Sequence, residues 1–552
     1  MSLQFITGGS GAGKSEYLSR LVCEESVRRP HDNFIVVVPE QYTMETQKKL
    51  VHMHSRKGIL NIDVVSFERL AYKVFEELGG GNRPVLDDTG KNLIVRRVLE
   101  KEKKKLDYFG SSIEKTGFVS ELKSVISELL QYGITPQQLG EIGENVKEKQ
   151  QLSAKLKDIR LVYEEFMAFL STNYITSEEI LDVLCGLVEK SKLIAGSEII
   201  FDGFTGFTPI QYKLMRLLLV YSKGIKISVT IDKKERPTGH EGWNNLFFMS
   251  KEMMNRLIAI CEEEGINVDD TVCVDRDINY RYEGAKDLAY LERNLFRYKG
   301  GVYTGTPENI RIYEGSNPKE ELQYIVSEIL QLTRKEGFRY RDIAVVTADL
   351  ETYGKVAANM MKQNDIPAFL DYKRSVAANP YVEMLCSALE IVEKGYPYDT
   401  MFRYLRTGLT GISRHDIDML ENYCLAVGIR GSRAWHEPWK KKMKRSTYQP
   451  ELETLNALRE QIMAPFLNLE AVLKDKEANV RTYVTAVYEF VTALHSAEQI
   501  KALSECEPAG NEYEQLYAKV LELFDRIVEL LGEENVSLKE FNRIVAAGFE
   551  EM

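Results

Sequence analysis

The stretch Leu3-Gln4-Phe5-Ile6-Thr7-Gly8-Gly9-Ser10-Gly11-Ala12-Gly13-Lys14-Ser15 sets the architecture of the whole chain. Leu3 to Ile6 predict a short buried strand. Gly8 to Ser15 match the spacing G-x-x-x-x-G-K-[ST], and Tyr17, Leu18, Leu21 and Val22 then mark one face of an amphipathic helix. Strand, glycine loop and helix start follow in the order this pattern requires. Glycines let backbone N–H groups wrap a phosphate without a Cβ in the way, and the helix start adds the positive end of its dipole. Lys14 is expected to reach the β- and γ-phosphates, and the Ser15 hydroxyl to ligate Mg²⁺. Gly8, Gly9, Ser10, Gly11, Ala12, Gly13, Lys14 and Ser15 are therefore candidate ATP-binding residues of a P-loop, with ATP and Mg²⁺ as expected cofactors.

Outward from the loop, further strands are predicted. Asn33 to Val38 is one. Ser197-Glu198-Ile199-Ile200-Phe201-Asp202 is an apolar run ending in an acid, and Lys226-Ile227-Ser228-Val229-Thr230-Ile231-Asp232 follows after a helix around Tyr212 to Tyr221. Strands alternating with helices predict an α/β fold with a parallel sheet. Asp202 at a strand end is the candidate second Mg²⁺ ligand beside Ser15. In hydrolytic helicases the next residue is usually a glutamate that positions or deprotonates the attacking water; here it is Gly203. The expected outcome is Mg·ATP binding with slow hydrolysis or none.

The bulk numbers bound the reading. A chain of 552 residues exceeds one hydrophobic core, so three or four domains or subdomains are expected. No apolar run approaches the roughly 18–20 residues that span a bilayer, and Met1 to Thr7 do not read as a signal peptide; a cytoplasmic location without membrane attachment is expected. The seven cysteines, Cys23, Cys185, Cys261, Cys273, Cys386, Cys424 and Cys506, form no Cys-x-x-Cys pair, which argues against disulfides and against an iron–sulfur cluster. The net charge of −11 counts mildly against nucleic acid, although a local basic groove matters more than the sum.

A first lobe is read over 1–86 and 196–300, interrupted by a helical insertion over 87–195 that is rich in Leu, Lys and Glu. Gly79-Gly80-Gly81 and Gly300-Gly301 mark its ends. A second α/β lobe starts near 308 and runs to 372. In it Pro318-Lys319-Glu320-Glu321-Leu322 opens a helix, Tyr340 to Thr347 predicts a strand, and Ile366 to Asp371 follows. Residues 373–552 read as helical again, for example Glu383 to Glu393 and Tyr513 to Leu531. The lysine run Lys101 to Lys105 is interrupted by Glu102 and reads as a solvated face; Lys440 to Arg445, after Trp439, is denser.

Several of these segments together resemble one family. Ile35-Val36-Val37-Val38-Pro39-Glu40-Gln41-Tyr42-Thr43 is similar to the superfamily 1 helicase motif that follows the P-loop, and Val64-Val65-Ser66-Phe67-Glu68-Arg69-Leu70-Ala71 to the next. Phe201-Asp202-Gly203-Phe204-Thr205-Gly206-Phe207-Thr208-Pro209 closely resembles the degenerate motif II of AddB, the B subunit of the bacterial AddAB helicase–nuclease, and Gln211 sits where such helicases often carry a glutamine. The resemblance runs along the chain but covers about half of a family member. It implies RecA-like lobes with large helical insertions, the second lobe left incomplete. The C-terminal nuclease domain with its iron–sulfur cluster is expected to be absent, and Ala348 stands where relatives tend to place an arginine.

The resemblance further implies a single-stranded DNA groove near Gln41, Thr43, Phe67, Arg69 and Tyr72, with Phe204 and Phe207 as further stacking candidates. Arg69 suits phosphate or a base edge, and aromatic rings suit bases. Phe67, Leu70 and Ala71 also lie at helical spacing, which fits a core ring equally well. The implied partners are AddA, the motor–nuclease chain of the same heterodimer, and single-stranded DNA at double-strand-break ends, processed for homologous recombination, with scanning for a hotspot sequence. Two other readings stand beside this one. Ile6 to Ser15 also resembles cobinamide kinase P-loops, and a non-catalytic scaffold would keep the loop for structure alone.

Overall fold

The computed structural model describes every residue except 80–83, 114, 116, 147–148, 237–241, 298–300, 371–375, 377, 444–450 and 507–509. Gly80, Gly81, Gly300, Asp371 and the Lys444-Arg445 end of the second lysine run thus lie outside the described residues. The chain divides into two compact units. Unit 1 comprises Met1–Leu70, Val188–Phe207 and Met215–Arg374; unit 2 comprises Ala71–Leu187, Thr208–Leu214 and Ser375–Met552.

Unit 1 is built on a seven-stranded parallel sheet. Its strands are β1 (Ser2–Gly8), β2 (Asn33–Val37), β3 (Ile62–Val65), β6 (Ser197–Phe201), β7 (Gly224–Thr230), β8 (Asn267–Val268) and β9 (Val272–Cys273); β4 and β5 are the pair Val85–Leu86 and Ile175–Thr176 of unit 2. The order is β3-β2-β6-β7-β1-β8, with β9 also against β1. Parallel strands covered on both faces read as unbroken apolar runs, and Phe34, Ile35, Val36 and Val37 are all buried. In register, Phe5 and Phe201 both pair with Ile227, so β6 ends at Phe201 while β1 and β7 run on together to Gly8 and Thr230. Helices α1 (Lys14–Arg28) and α2 (Thr43–Met53) supply Leu18, Val22 and Leu50 to the core beside Ile6, Phe34 and Ile200. The loops at the carboxyl ends of the strands form the crevice where open α/β sheets hold ligands.

The later part of unit 1 differs from the sequence reading. The helices Pro318–Lys335 and Leu350–Gln363 form as expected and share a small core through Leu322, Val326, Ile329, Met360 and Met361. The expected strand over Tyr340 to Thr347 does not form: Tyr340–Asp342 is a short 3₁₀ turn, and the residues after it enter no sheet among the described residues. A β-propensity run becomes a strand only when a neighbour takes its backbone groups. Val346 accordingly stands 91% exposed and Phe369 90%.

Unit 2 is helical. Helix α3 (Phe67–Leu78) carries the chain from unit 1 into it, and α4 (Asp88–Glu102) starts on an Asp87 cap. One hydrophobic core joins residues far apart in sequence. Leu93, Ile94 and Val98 of α4 cluster with Phe166, Tyr381, Leu385, Tyr404, Phe466, Phe490, Ile527 and Phe541. The helical stretches before and after the second lobe therefore pack together rather than as two separate insertions. Of the first lysine run, the exposed Lys101 pairs with Glu165, and the exposed Lys105 pairs with Glu102, whose own side chain is buried. No described helix is long and apolar enough to cross a membrane.

Candidate nucleotide site and nearby surface

The glycine loop links β1 to α1. Gly11 and Gly13 take φ +70° and +95°, a region that side chains avoid. They turn the chain so that α1 begins at Lys14 with Gly13 as its cap and no side chain bonded to the opening amides. A helix start left uncapped keeps its N–H donors for a ligand. The Lys14 ammonium donates to the carbonyls of Gly8 (2.8 Å) and Gly9 (2.9 Å). Burial lowers its pKa from the ordinary lysine value, an effect opposed by Asp202 and Asp275 and reinforced by Arg281.

A cavity of about 420 Å³ opens over this loop, lined by Lys14 and Ser15 on one side and by Asp202, Gly203, Ser228 and Thr230 on the other. β7 lies between β1 and β6, and its Ser228 fixes the Asp202 wall. Its hydroxyl donates to Asp202 Oδ1 at 2.5 Å and accepts the Gly203 N–H at 3.4 Å. Ser15 and Asp202 thus face one space, the arrangement a hydrated Mg²⁺ needs. Gly203 has φ +85°. A glutamate there would strain the backbone, so the missing carboxylate is written into the chain path as well as the sequence.

Arg281 carries no mark in the sequence. It belongs to the segment after β9, and its guanidinium lines the cavity and donates to Ser10 Oγ at 3.4 Å. Tyr280 packs beside Gly13, with Arg276 stacked 3.6 Å over its ring. No spacing relative to the loop marks a residue about 270 positions away, and only β9 lying against β1 brings it there.

The residues read as DNA contacts divide by exposure. Gln41 is exposed in the turn Glu40–Tyr42. Arg69, in the first turn of α3, is exposed and forms a two-pronged ion pair with Glu40, Nε at 2.9 Å and Nη2 at 2.8 Å. Thr43 turns inward, its hydroxyl donating to the Glu40 carbonyl at 2.9 Å. Phe67 is buried against Phe201, Phe204 and Phe207, its ring committed to packing. Phe204 and Phe207 remain half-buried at the edge of that cluster. Burial thus removes Thr43 and Phe67 from the surface expected for them. Tyr72, partly exposed against Phe75, is counted with unit 2. Gln211 caps its own helix: its side-chain oxygen accepts the Thr208 N–H at 2.9 Å.

A phosphate loop at the carboxyl end of a parallel sheet, facing a strand-end aspartate across one cavity, places the chain in the P-loop nucleoside-triphosphatase class of folds. Comparison with known proteins narrows this. The family described as ADDB, N-terminal matches residues 5–292. Over the whole chain, the sequence is 42% identical to the B subunit of the ATP-dependent helicase/deoxyribonuclease of Lachnoclostridium phytofermentans, covering 49% of that protein, and 33% identical to its counterpart in Clostridium novyi, covering 48%. It is 35% identical over 99% of its length to the counterpart in Symbiobacterium thermophilum, again covering 49%. The chain belongs to the AddB family, and it spans about half the length of the curated relatives it matches.

Proposed function

We propose that this chain is the nucleotide-binding and single-stranded-DNA-binding front part of the AddB component of a helicase–deoxyribonuclease that processes DNA ends for repair by homologous recombination. The observation that carries the reading is the joint facing of Lys14, Ser15 and Asp202 into one cavity beside a residue with no side chain at 203. Gly8 to Ser15 would wrap the phosphates of ATP, and Ser15 and Asp202 would hold Mg²⁺, which supplies charge neutralisation between the phosphates. Lys14 would exchange its two carbonyl partners for β- and γ-oxygens. With Gly203 where a base would stand, the site holds nucleotide and turns it over slowly or not at all.

Gln41 and Arg69, with the exposed edges of Phe204 and Phe207, are the proposed DNA contacts of unit 1; Tyr72 is a separate candidate in unit 2. The relatives are named as one lettered component of a larger enzyme, which supports a partner in a heterodimer, proposed to be the motor–nuclease chain AddA. Scanning for a hotspot sequence is the proposed use of a DNA site joined to a weak motor, in the cytoplasm.

The test is Mg·ATP binding and steady-state turnover with and without oligo(dT), in the wild type and Lys14→Ala. Binding lost in the variant with negligible turnover in both is expected. Brisk, DNA-stimulated hydrolysis that Lys14→Ala abolishes would refute the degenerate-motor reading.

A further inference from the structure

The outer face of the glycine loop is held by side chains from a single downstream segment, residues 275–292. Gly9 N–H donates to Asp275 Oδ1 at 3.1 Å, and the other oxygen of the same carboxylate accepts the Lys233 N–H at 3.0 Å, just past the end of β7. Asn279 Nδ2 donates to the Ser10 carbonyl at 3.2 Å, while its oxygen accepts the Arg276 N–H at 3.0 Å. The Glu292 carboxylate lies against the same turn, its Oε1 3.1 Å from where a Cβ on Gly9 would stand; burial raises its pKa and the Ser10 amide opposes that rise. The Arg281 N–H reaches the Gly11 carbonyl at 3.4 Å.

These contacts converge on one residue. A methyl group on Gly9 would lie 3.1 Å from Glu292 Oε1, 3.2 Å from Asn279 Nδ2 and 3.3 Å from Asp275 Oδ1. Yet Gly9, unlike Gly11 and Gly13, is outside the positive-φ region, so its backbone would accept alanine. What excludes the methyl is the clamp, which already fills its space.

We propose that Asp275 and Glu292 are positioning residues of the phosphate cradle, holding Gly9 and Ser10 in their ligand-ready conformation before nucleotide arrives. This rests on the nucleotide-binding reading above. Gly8, Gly9, Gly11 and Gly13 make the loop one of the most flexible stretches a chain can have, and fixing each free residue opposes binding. The charge-assisted bond from the Gly9 amide to Asp275, with the Glu292 carboxylate set against the same turn, removes that freedom in advance, and preorganisation of this kind appears as affinity. The carboxylates themselves do not line the cavity beside Lys14 and Ser15; they open into a small adjoining recess with Gly9, Asp232 and Asn279. They act through the loop, without touching the ligand.

The experiment uses the full chain with Mg²⁺ and a fluorescent ATP analogue, alongside amide hydrogen exchange of Gly9 and Ser10 without nucleotide. Glu292→Ala, Asp275→Ala and Gly9→Ala should each weaken binding roughly tenfold, the scale of losing one charge-assisted bond. Glu292→Gln, which keeps the shape and an acceptor oxygen against the turn, should restore most of the affinity. In the Glu292→Ala background the added methyl of Gly9→Ala should cost little, because the space it needs is then open. Exchange at Gly9 and Ser10 should be slow in the wild type and fast in Glu292→Ala and Asp275→Ala. Wild-type affinity in both alanine variants, or fast exchange in the wild type, overturns the proposal. If Lys14→Ala binds as well as the wild type, or the wild type does not bind at all, the nucleotide reading falls, and slow exchange at Gly9 and Ser10 would then mark the clamp as structural only.

Discussion

Replacing Glu40 with glutamine should tighten single-stranded DNA binding, and the size of the effect follows from how the Glu40–Arg69 pair is placed. The two side chains are 54% and 59% exposed and joined by two hydrogen bonds from one guanidinium. Exposed pairs of this kind contribute about 0–1 kcal/mol, so a phosphate can displace Glu40 cheaply. Neutralising Glu40 removes that small competition and also a negative charge facing the incoming backbone. At roughly 8 Å in water such a repulsion is about 0.5 kcal/mol. Together these give a Kd lower by about two- to tenfold. Arg69→Ala should do the opposite, and it should flatten the salt dependence by about 0.7 in slope, the share of one phosphate on a single strand. The assay is fluorescence anisotropy of labelled oligo(dT) over a range of salt concentrations. In the Arg69→Ala background Glu40→Gln should gain less than it does alone. Unchanged affinity in Glu40→Gln, with a full salt slope in a folded Arg69→Ala, would remove this pair from the DNA surface.

Other expectations rest on single groups. Asp158, in the long helix Gln150–Asn173, accepts three backbone amides, from Asp107 (3.0 Å), Tyr108 (2.8 Å) and Phe109 (2.9 Å), and is 1% exposed. Asp158→Ala leaves those donors without their acceptor, a loss of about 3–5 kcal/mol once non-additivity is allowed for. Hydrogen exchange at Tyr108 and Phe109 should rise sharply, and near-native protection would show that other groups hold the turn. A pH series on Mg·ATP binding reads the burial of Lys14. The nucleotide-free cradle holds this proton less tightly than an ordinary lysine of pKa 10.5, and a bound phosphate holds it more tightly. Raising the pH through the free-state value therefore releases the proton and weakens binding, starting below 10.5. Affinity that stays flat up to that pH would contradict the assignment.

What the sequence disclosed and what it hid follow from range. The cradle was legible because strand, loop and helix start are contiguous, and each residue's task is set by its immediate neighbours. The strand ending at Asp202 was legible because a buried parallel strand needs an unbroken apolar run. The short strand Ile62–Val65 was not, since Asp63 interrupts it and only pairing with β2 makes it one. Ile343 to Thr347 had the right composition but no neighbour. Thr43 and Phe67 matched motif positions that say nothing of which way a side chain turns, and both turn inward. Arg281 and the clamp on Gly9 depend on a segment more than 260 residues downstream being folded back beside β1, information no local pattern carries.

The core of unit 2 has a consequence for how the chain is made. Leu86 and Leu93 share that core with Phe541 and Phe549, and Arg543 reaches Glu100 at 2.9 Å. At ribosomal speeds of roughly 5–20 residues per second, helix α4 leaves the ribosome tens of seconds before these late packing partners exist. For that interval the helices Phe118–Gln131 and Gln150–Asn173 cover part of α4, while the surface that meets Phe541 and Phe549 has nothing to bury against except chaperones or other nascent chains. The sheet of unit 1, finished by β9 at Cys273, has all its strands far sooner. Newborn molecules should therefore acquire the nucleotide cradle first and their helical body last, and damage to the late helices would strand a finished pocket on an unfinished protein.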